Sequence, residues 1–531
     1  MTALNGGGES PRSVEVSASP ESAPLVADPE TVAAFQFLRQ ATWGPKPGDV
    51  EALKALGKDG KDAFLTQQLS APASILPDAL FDKPIDDAQE YFMSIALTGQ
   101  DQLRQRIAWA LHKIWVVSAV EVPGARAIVT YYRLLQNGAF GNYRDLMRNV
   151  TLNPAMGQYL NMLNSRSEAV TGTPPNENYS RELMQLFTLG IPTLNQDGTQ
   201  VLDAQRQQIP VYTEQDVKEL ARIFTGWTFG DGNPATVPRA AAKENFTVPM
   251  EAVVRRTRDG QPITPGYHDT GAKRFLGHDF PAGQSAQQDL DQALDVLFNH
   301  PNVAPFVSRQ LIQQLVTSNP SPAYVSAIAA VFNGSGGTRG DLAAVVRAIL
   351  THPEASTSTL TSGKLAEPVL FVVSMMRAFN ASVTDHPFMS NRAEEMGQKV
   401  FYPPSVFSYF SPGYRVRSTT GGANGGPLGG PEFQILTTVT ALDRANFVGD
   451  LVSGRFGSDV TINYTEFNNR AVDAGALADY CNLLFMGGRM SPEERAEIVK
   501  AVRATPTTSR KERVSTALYI TLTAAQSQVD R

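Results

Sequence analysis

Cysteine is almost missing from this chain: 531 residues contain one, Cys481. A lone thiol closes no intrachain disulfide and rules out a cysteine-rich zinc site. Its setting, Ala478-Asp479-Tyr480-Cys481-Asn482-Leu483-Leu484, reads as helix with no activating neighbour, so a small buried hydrophobe is expected rather than a nucleophile. Histidine is scarce too, with six residues, and no His-Glu-x-x-His occurs. Basic charge is not in excess. A net charge of −6 and a pI near 5.7 argue against a nucleic-acid partner, which would need a basic footprint. No apolar run reaches the roughly eighteen residues of a transmembrane helix. Residues 1–31, rich in Ser, Pro, Gly, Glu and Ala, hold no apolar export segment. A fixed-period repeat, a Gly-x-Ser-x-Gly elbow and a phosphate loop ending in Gly-Lys-Ser/Thr are also missing, as is a dinucleotide fingerprint directly after a strand.

What is present is an ample core. Hydrophobic residues make up 42% of the chain and charged residues 18%, which is a globular balance. Length alone would allow two to four domains of ~150 residues. The pattern favours one large helical body over residues 32–531, preceded by a disordered acidic tail over 1–31. The fold class expected is mainly α, with an irregular, weakly β insertion at 229–285 and a Gly-rich loop at 418–431. Strands are expected mainly within 192–212 and 229–285. Leu103 to Ala119 is apolar on nearly every side and reads as a central buried helix. His112, inside it, reads as a core histidine.

The densest functional signal lies between Pro174 and Pro192. Two prolines, Asn176 as an N-cap and Glu177 in the first turn open a helix over 176–189, which Gly190 and Pro192 end. Tyr179, Leu183, Leu186 and Phe187 form its apolar stripe. Asn178, Arg181, Glu182 and Gln185 form a second stripe of hydrogen-bonding groups. That second stripe is either an exposed or buried structural network, or one wall of a binding cleft.

A second cluster falls in the irregular insertion: Tyr267-His268-Asp269, Lys273, Arg274 and His278-Asp279. Imidazole beside carboxylate suits a divalent metal ion or a general acid/base pair, and equally a histidine bonded to a backbone carbonyl in a turn. Asn195-Gln196-Asp197-Gly198-Thr199 with Asp203 lacks the ligands of a calcium loop and reads as a hairpin turn. Trp227, after the helix-ending Thr225-Gly226, either packs in the core or stacks on a sugar ring.

The stretch Asn176-Glu177-Asn178-Tyr179-Ser180-Arg181-Glu182-Leu183 resembles the signature helix of the bacterial family known as domain of unknown function number eighteen hundred, DUF1800. Phe37-Leu38-Arg39-Gln40-Ala41-Thr42-Trp43-Gly44-Pro45, Leu103-Arg104-Gln105-Arg106 and Asn142-Tyr143-Arg144-Asp145-Leu146 resemble it in the family's order, as does Pro154-Ala155-Met156. So do Tyr212, Phe224-Thr225-Gly226-Trp227, His268-Asp269 with Lys273, Gly397-Gln398, Pro404-Ser405-Val406-Phe407 and Pro431-Glu432-Phe433-Gln434-Ile435. The resemblance implies an extracytoplasmic protein whose export signal is not in this chain, Asn5-Gly6-Gly7-Gly8-Glu9-Ser10 being similar to a Gly-rich tether. It also implies, by gene neighbourhood in the family, a sulfatase-like exported partner.

Two functional expectations follow. The first is an exported hydrolase-like enzyme acting on a polymer or glycan. In it Glu182, His268 and Asp269 are catalytic, Asn178, Arg181, Trp227 and Lys273 bind substrate, and a divalent metal ion is the candidate cofactor. The second is a non-catalytic surface or scaffold protein in which the polar stripe is an internal network.

Overall fold

Capping residues and apolar stripes alternate along the chain, and in the computed structural model they become helices. The structure describes residues 27–232, 243–254, 263–357, 362–384, 387–417 and 426–530, isolated positions between 257 and 261, and the backbone of the short strands Leu4–Asn5 and Gly8–Glu9. Most of the tail and residues 418–425 of the Gly-rich loop lie outside the described residues. Helix makes up 54% of the chain, and every sheet is a pair of short strands, so the fold is mainly α. The first helix is Pro29–Ala41, capped by Asp28, whose carboxylate accepts the Thr31 amide at 2.8 Å. Capping boxes at Thr213/Asp216, Ser285/Gln288 and Ser491/Glu494 start three later helices, each cap being worth about 1 kcal/mol.

Two helices are buried almost on every side. In Gln102–Ile114 all residues but Arg104 are buried, and in Pro368–Ala378 all are. The first ends five residues before the expected Ala119. Trp115 leaves the helix at φ −93°, ψ 79°, and Val116 and Val117 continue as buried non-helical chain. A continuous apolar run does not distinguish these states, because burial alone satisfies either. The Gln102–Ile114 helix packs against Ala125–Gly138, Gly60–Ser70 and Val303–Leu315. One hydrophobic cluster runs from Ala34 to Leu522. The C-terminal helices Thr438–Ser453, Ala474–Cys481, Pro492–Arg503 and Arg510–Thr523 pack together, and strand Val529–Asp530 pairs with Lys364–Leu365. Cys481 is buried there, its thiol pushed up to about 12 by burial, as expected of an inert core residue.

Trp227–Thr228, just before the insertion, pairs with Glu251–Ala252 inside it, and Lys273–Phe275 pairs with His278–Phe280. Contrary to expectation, strand pairs also lie outside 192–212 and 229–285, as in Ser382–Val383 with Val460–Thr461 and Arg415–Val416 with Leu428–Gly429. Residues 192–212 form bridges and turns rather than full strands. Asp197 accepts the Thr199 amide and hydroxyl at 2.9 and 2.6 Å, closing the Asp-Gly turn that the sequence signals. His112 lies in the core, stacked on Trp109 at 5.5 Å, and burial lowers its pKa to about 3.

Candidate functional site

The signature stretch is not one α-helix. The Asn176 side chain accepts the Asn178 amide at 2.9 Å in a turn ahead of the helix, whose N-cap position is Glu177 and not the expected Asn176, and Asn178–Glu182 is α-helical. Leu183–Thr188 then widens into a π-helix. Its carbonyls are bonded from outside the ladder. The hydroxyl of Thr188 donates to Leu183 O at 2.6 Å, Tyr143 to Phe187 O at 2.6 Å, and Gln310 to Leu186 O at 3.3 Å. Side chains that take carbonyls remove the advantage of the α ladder, and such widened turns gather at functional sites. The apolar stripe packs inward through Tyr179, Leu183 and Phe187. Asn178, Arg181, Glu182 and Gln185 are all partly exposed, so the polar stripe faces away from the core.

The first residue of that stripe, Asn178, borders a cleft of about 630 Å³. Asn178 lines it together with Tyr159 and Asn161 from the end of helix Pro154–Tyr159, Ser118 and Glu121 from the loop after the central helix, and the loop Pro403–Val406. Asn178 donates to Asn161 Oδ1 at 3.2 Å. The Ala119 amide donates to Phe401 O at 2.9 Å and ties two of the cleft loops together. Backbone strain collects at the same place: Asn161, Phe401 and Ser408 have φ of 60°, 66° and 66°. Asparagine tolerates this region; phenylalanine and serine are held in it by their surroundings, which is usual near functional sites.

Glu182 stands one helical turn behind Asn178. Its Oε2 is buried and has no hydrogen-bond partner. Burial raises its pKa above the ordinary carboxylate value, and the Arg181 charge pulls the other way without cancelling it. Arg181 is engaged elsewhere, donating to Glu214 at 2.7 and 3.0 Å and to Glu177 at 3.1 Å. Tyr159 connects Glu182 to the cleft: burial first, then the charges of Glu121 and Glu182, push its hydroxyl up to about 12. No lysine, arginine or histidine lines the cleft. A carboxyl whose pKa burial raises is a better proton donor near neutrality than an ordinary one, which suits an uncharged, hydroxyl-bearing ligand.

The His268 group lies elsewhere. Helix Glu214–Ile223 carries Glu214, the partner of Arg181, at one end and Arg222, the partner of Asp269, near the other. Those positions are eight residues apart, about 12 Å along the helix. His268 does not pair with its sequence neighbour. Its Nδ1 is 3.0 Å from Thr225 O, and its Nε2 is 3.0 Å from Asp289 Oδ2 on helix Ala286–Asn299. Lys273 donates to the same oxygen at 2.6 Å and to Gly271 O at 2.9 Å. Gly226, at φ +92°, is packed so closely that a Cβ would lie 2.9 Å from His268 N. Asp269 accepts from Arg222 Nε at 2.8 Å and from the Gly271 amide at 2.9 Å. Burial would raise its pKa, but Arg222 and that amide outweigh burial and hold it below the ordinary value.

Of the seven site residues read from the sequence, the structure brings His268 and Lys273 together on Asp289. It places Asn178 in the cleft lining, Glu182 one helical turn away and outside that lining, and Arg181 and Asp269 in separate ion pairs. Trp227 is 2% exposed, its ring in the core. Among the described residues no group of three or more His, Cys, Asp or Glu side chains could hold a metal ion. At Asp289 the Lys273 ammonium already sits where a cation would. The sequence reading missed Tyr159, Glu121 and Asp289. Tyr159 follows the Pro154-Ala155-Met156 motif by three residues, which was a usable signal. Asp289 looked like any acid in the first turn of a helix.

A mainly α-helical protein with an acid-bearing, cation-free cleft is the class that the fold and site define. The chain belongs to the family described as Protein of unknown function (DUF1800), whose model matches residues 36–529. No curated protein and no solved structure matches it.

Proposed function

We propose that this protein is a hydrolase acting on a neutral glycan or related polymer outside the cytoplasm, with Glu182 as general acid. The observation that carries this reading is the Glu182 carboxyl, its Oε2 unpartnered and its pKa raised by burial, one helical turn from Asn178 and within electrostatic reach of Tyr159, both of which line a cleft with Asn161 and Ser118. Uncharged polar groups suit hydroxyl-rich substrates, and a carboxyl whose pKa burial raises suits protonation of a leaving oxygen. Exposed Glu121 at the cleft rim is the candidate base for the attacking water. Phe407, 42% exposed and next to the cleft residue Val406, offers the stacking face that buried Trp227 does not. A sulfatase-like exported partner would supply such a neutral glycan by removing its sulfate groups, and co-purification from the native host tests that part.

The decisive assay is reducing-end release from a panel of soluble polysaccharides and cell-wall glycans. Glu182→Gln should lower kcat by about 10²–10⁴-fold with KM little changed. The rate should fall as pH rises through the raised Glu182 pKa. Stability should move oppositely. A carboxyl with a raised folded pKa contributes stability below its unfolded pKa and loses it as pH rises through the folded one. Glu182→Gln should therefore melt above wild type at pH 7–8, by about 1–3 °C, and level with it below about pH 4. Full activity in the variant, or no release from any glycan by wild type, overturns the proposal.

One observation favours the non-catalytic alternative for the His268 half. Both its ring nitrogens are engaged and Lys273 is fully enclosed, which suits a structural network better than turnover.

A further inference from the structure

A second feature of the molecule is unconnected with the cleft. Eight charged side chains, each less than 10% exposed, form one continuous network through the core: Arg39, Arg106, Lys113, Lys364 and Arg444 against Glu367, Glu432 and Asp530. Arg39 pairs with Asp530, Lys113 with Glu367 at 2.5 Å, and Lys364 with Glu432 at 3.0 Å. Arg106 lies within electrostatic reach of Glu367, Asp530 and Arg39, and Arg444 within reach of Glu432. Five cations thus face three anions in a region closed to solvent.

The surplus is concentrated at Arg106. It is 1% exposed, and neither its Nε nor its Nη1 has an acceptor. Trp43, over whose indole the guanidinium lies at 5.6 Å, has its Nε1 buried without an acceptor as well. A guanidinium does not give up its proton in a protein, so it cannot escape the cost of burial as a lysine can. A buried donor without an acceptor costs about 1–3 kcal/mol, and more when it is charged. Each unmatched group here is a donor. Water would bring two more hydrogens that need acceptors, whereas a small anion brings acceptor capacity and negative charge together.

We propose that Arg106, with Trp43 beside it, holds a small inorganic anion, chloride in the first place, enclosed in the core as the chain folds. Such a ligand reduces the network's net charge from two positive to one. It is a structural ion, and its binding stabilises the folded chain by mass action.

The test uses the full-length protein at constant ionic strength. With sodium chloride replacing sodium gluconate, the melting temperature should rise by about 1 °C for each tenfold increase in chloride once the site is mostly filled. Trp43→Phe removes one donor and should shift this dependence to about tenfold higher chloride, so the result does not rest on an Arg106 variant that fails to fold. Crystals grown in sodium bromide should show an anomalous peak beside Arg106 Nε. Equal melting in the two salts overturns the proposal. So does chloride-dependent melting with a water, and no bromide, at Arg106.

Discussion

Glu367→Gln is expected to destabilise the protein by about 3–5 kcal/mol, the range for removing one partner of a buried ion pair. Glu367 precedes the fully buried Pro368–Ala378 helix and is itself 0% exposed. Its Oε1 accepts from Lys113 at 2.5 Å and Trp109 Nε1 at 3.1 Å, and its Oε2 from Gln398 at 2.7 Å. Glutamine keeps the shape, but its amide group must point two hydrogens at Lys113 and Trp109 or at the Gln398 amide. Either way a donor meets a donor, and the Lys113 ammonium stays enclosed without a counter-charge. A urea titration at pH 7 reads the loss. Replacing both partners, as in Glu367→Gln with Lys113→Met, should recover much of it, because the double variant no longer encloses the Lys113 ammonium without its counter-charge. A single variant within 1 kcal/mol of wild type would show that the pair contributes nothing.

The same carboxylate should leave a mark on acid unfolding. Burial would raise its pKa, yet Lys113 and Lys364 overcome that and hold it at about 2, below an ordinary value of 4.5. A depressed folded pKa means stability that is present above pH 4.5 and is lost as pH falls toward 2. The slope of stability against pH across that window should be shallower in Glu367→Gln than in wild type.

Much of the scaffold was legible because amphipathic period and capping chemistry are local. Asp28, Thr213, Ser285 and Ser491 each start a helix through bonds within three residues. The central helix was legible as buried but not in length, since Trp115, Val116 and Val117 are apolar whether helical or extended. The π turn had no sequence signal, because its cause is remote: Tyr143 and Gln310 reach its carbonyls from other helices. The polar stripe was separable from the apolar one, but the partners of its members were not, since Glu177 one turn back and Glu214 on another helix take the Arg181 guanidinium. Several family motifs proved to be parts of the buried network. Arg39, Arg106, Gln398 and Glu432 are far apart in the chain and meet only once the helices pack.

Asp289→Asn should cost a further about 3–5 kcal/mol, through the same physics in a different place. Asp289 Oδ2 is the only carboxylate oxygen within ion-pair reach of Lys273 among the described residues, and the Lys273 side chain is 0% exposed. Asparagine would leave that ammonium with Gly271 O alone and turn an amide or a neutral oxygen toward His268. The loss should include more than one ion pair. His268 anchors Thr225 and packs on Gly226, so the segment joining helix Glu214–Ile223 to strand Trp227–Thr228 would loosen with it. Amide exchange should therefore quicken at residues 225–228 and 267–273 before global unfolding. A double-mutant cycle with Lys273→Met separates the charge from the packing, since the pair term should appear as a coupling of about 1–3 kcal/mol. If His268 instead performs chemistry, Asp289→Asn would melt with wild type and lose glycan-releasing activity as completely as Glu182→Gln. An unchanged melting temperature with lost activity would therefore return the His268 half to the catalytic site.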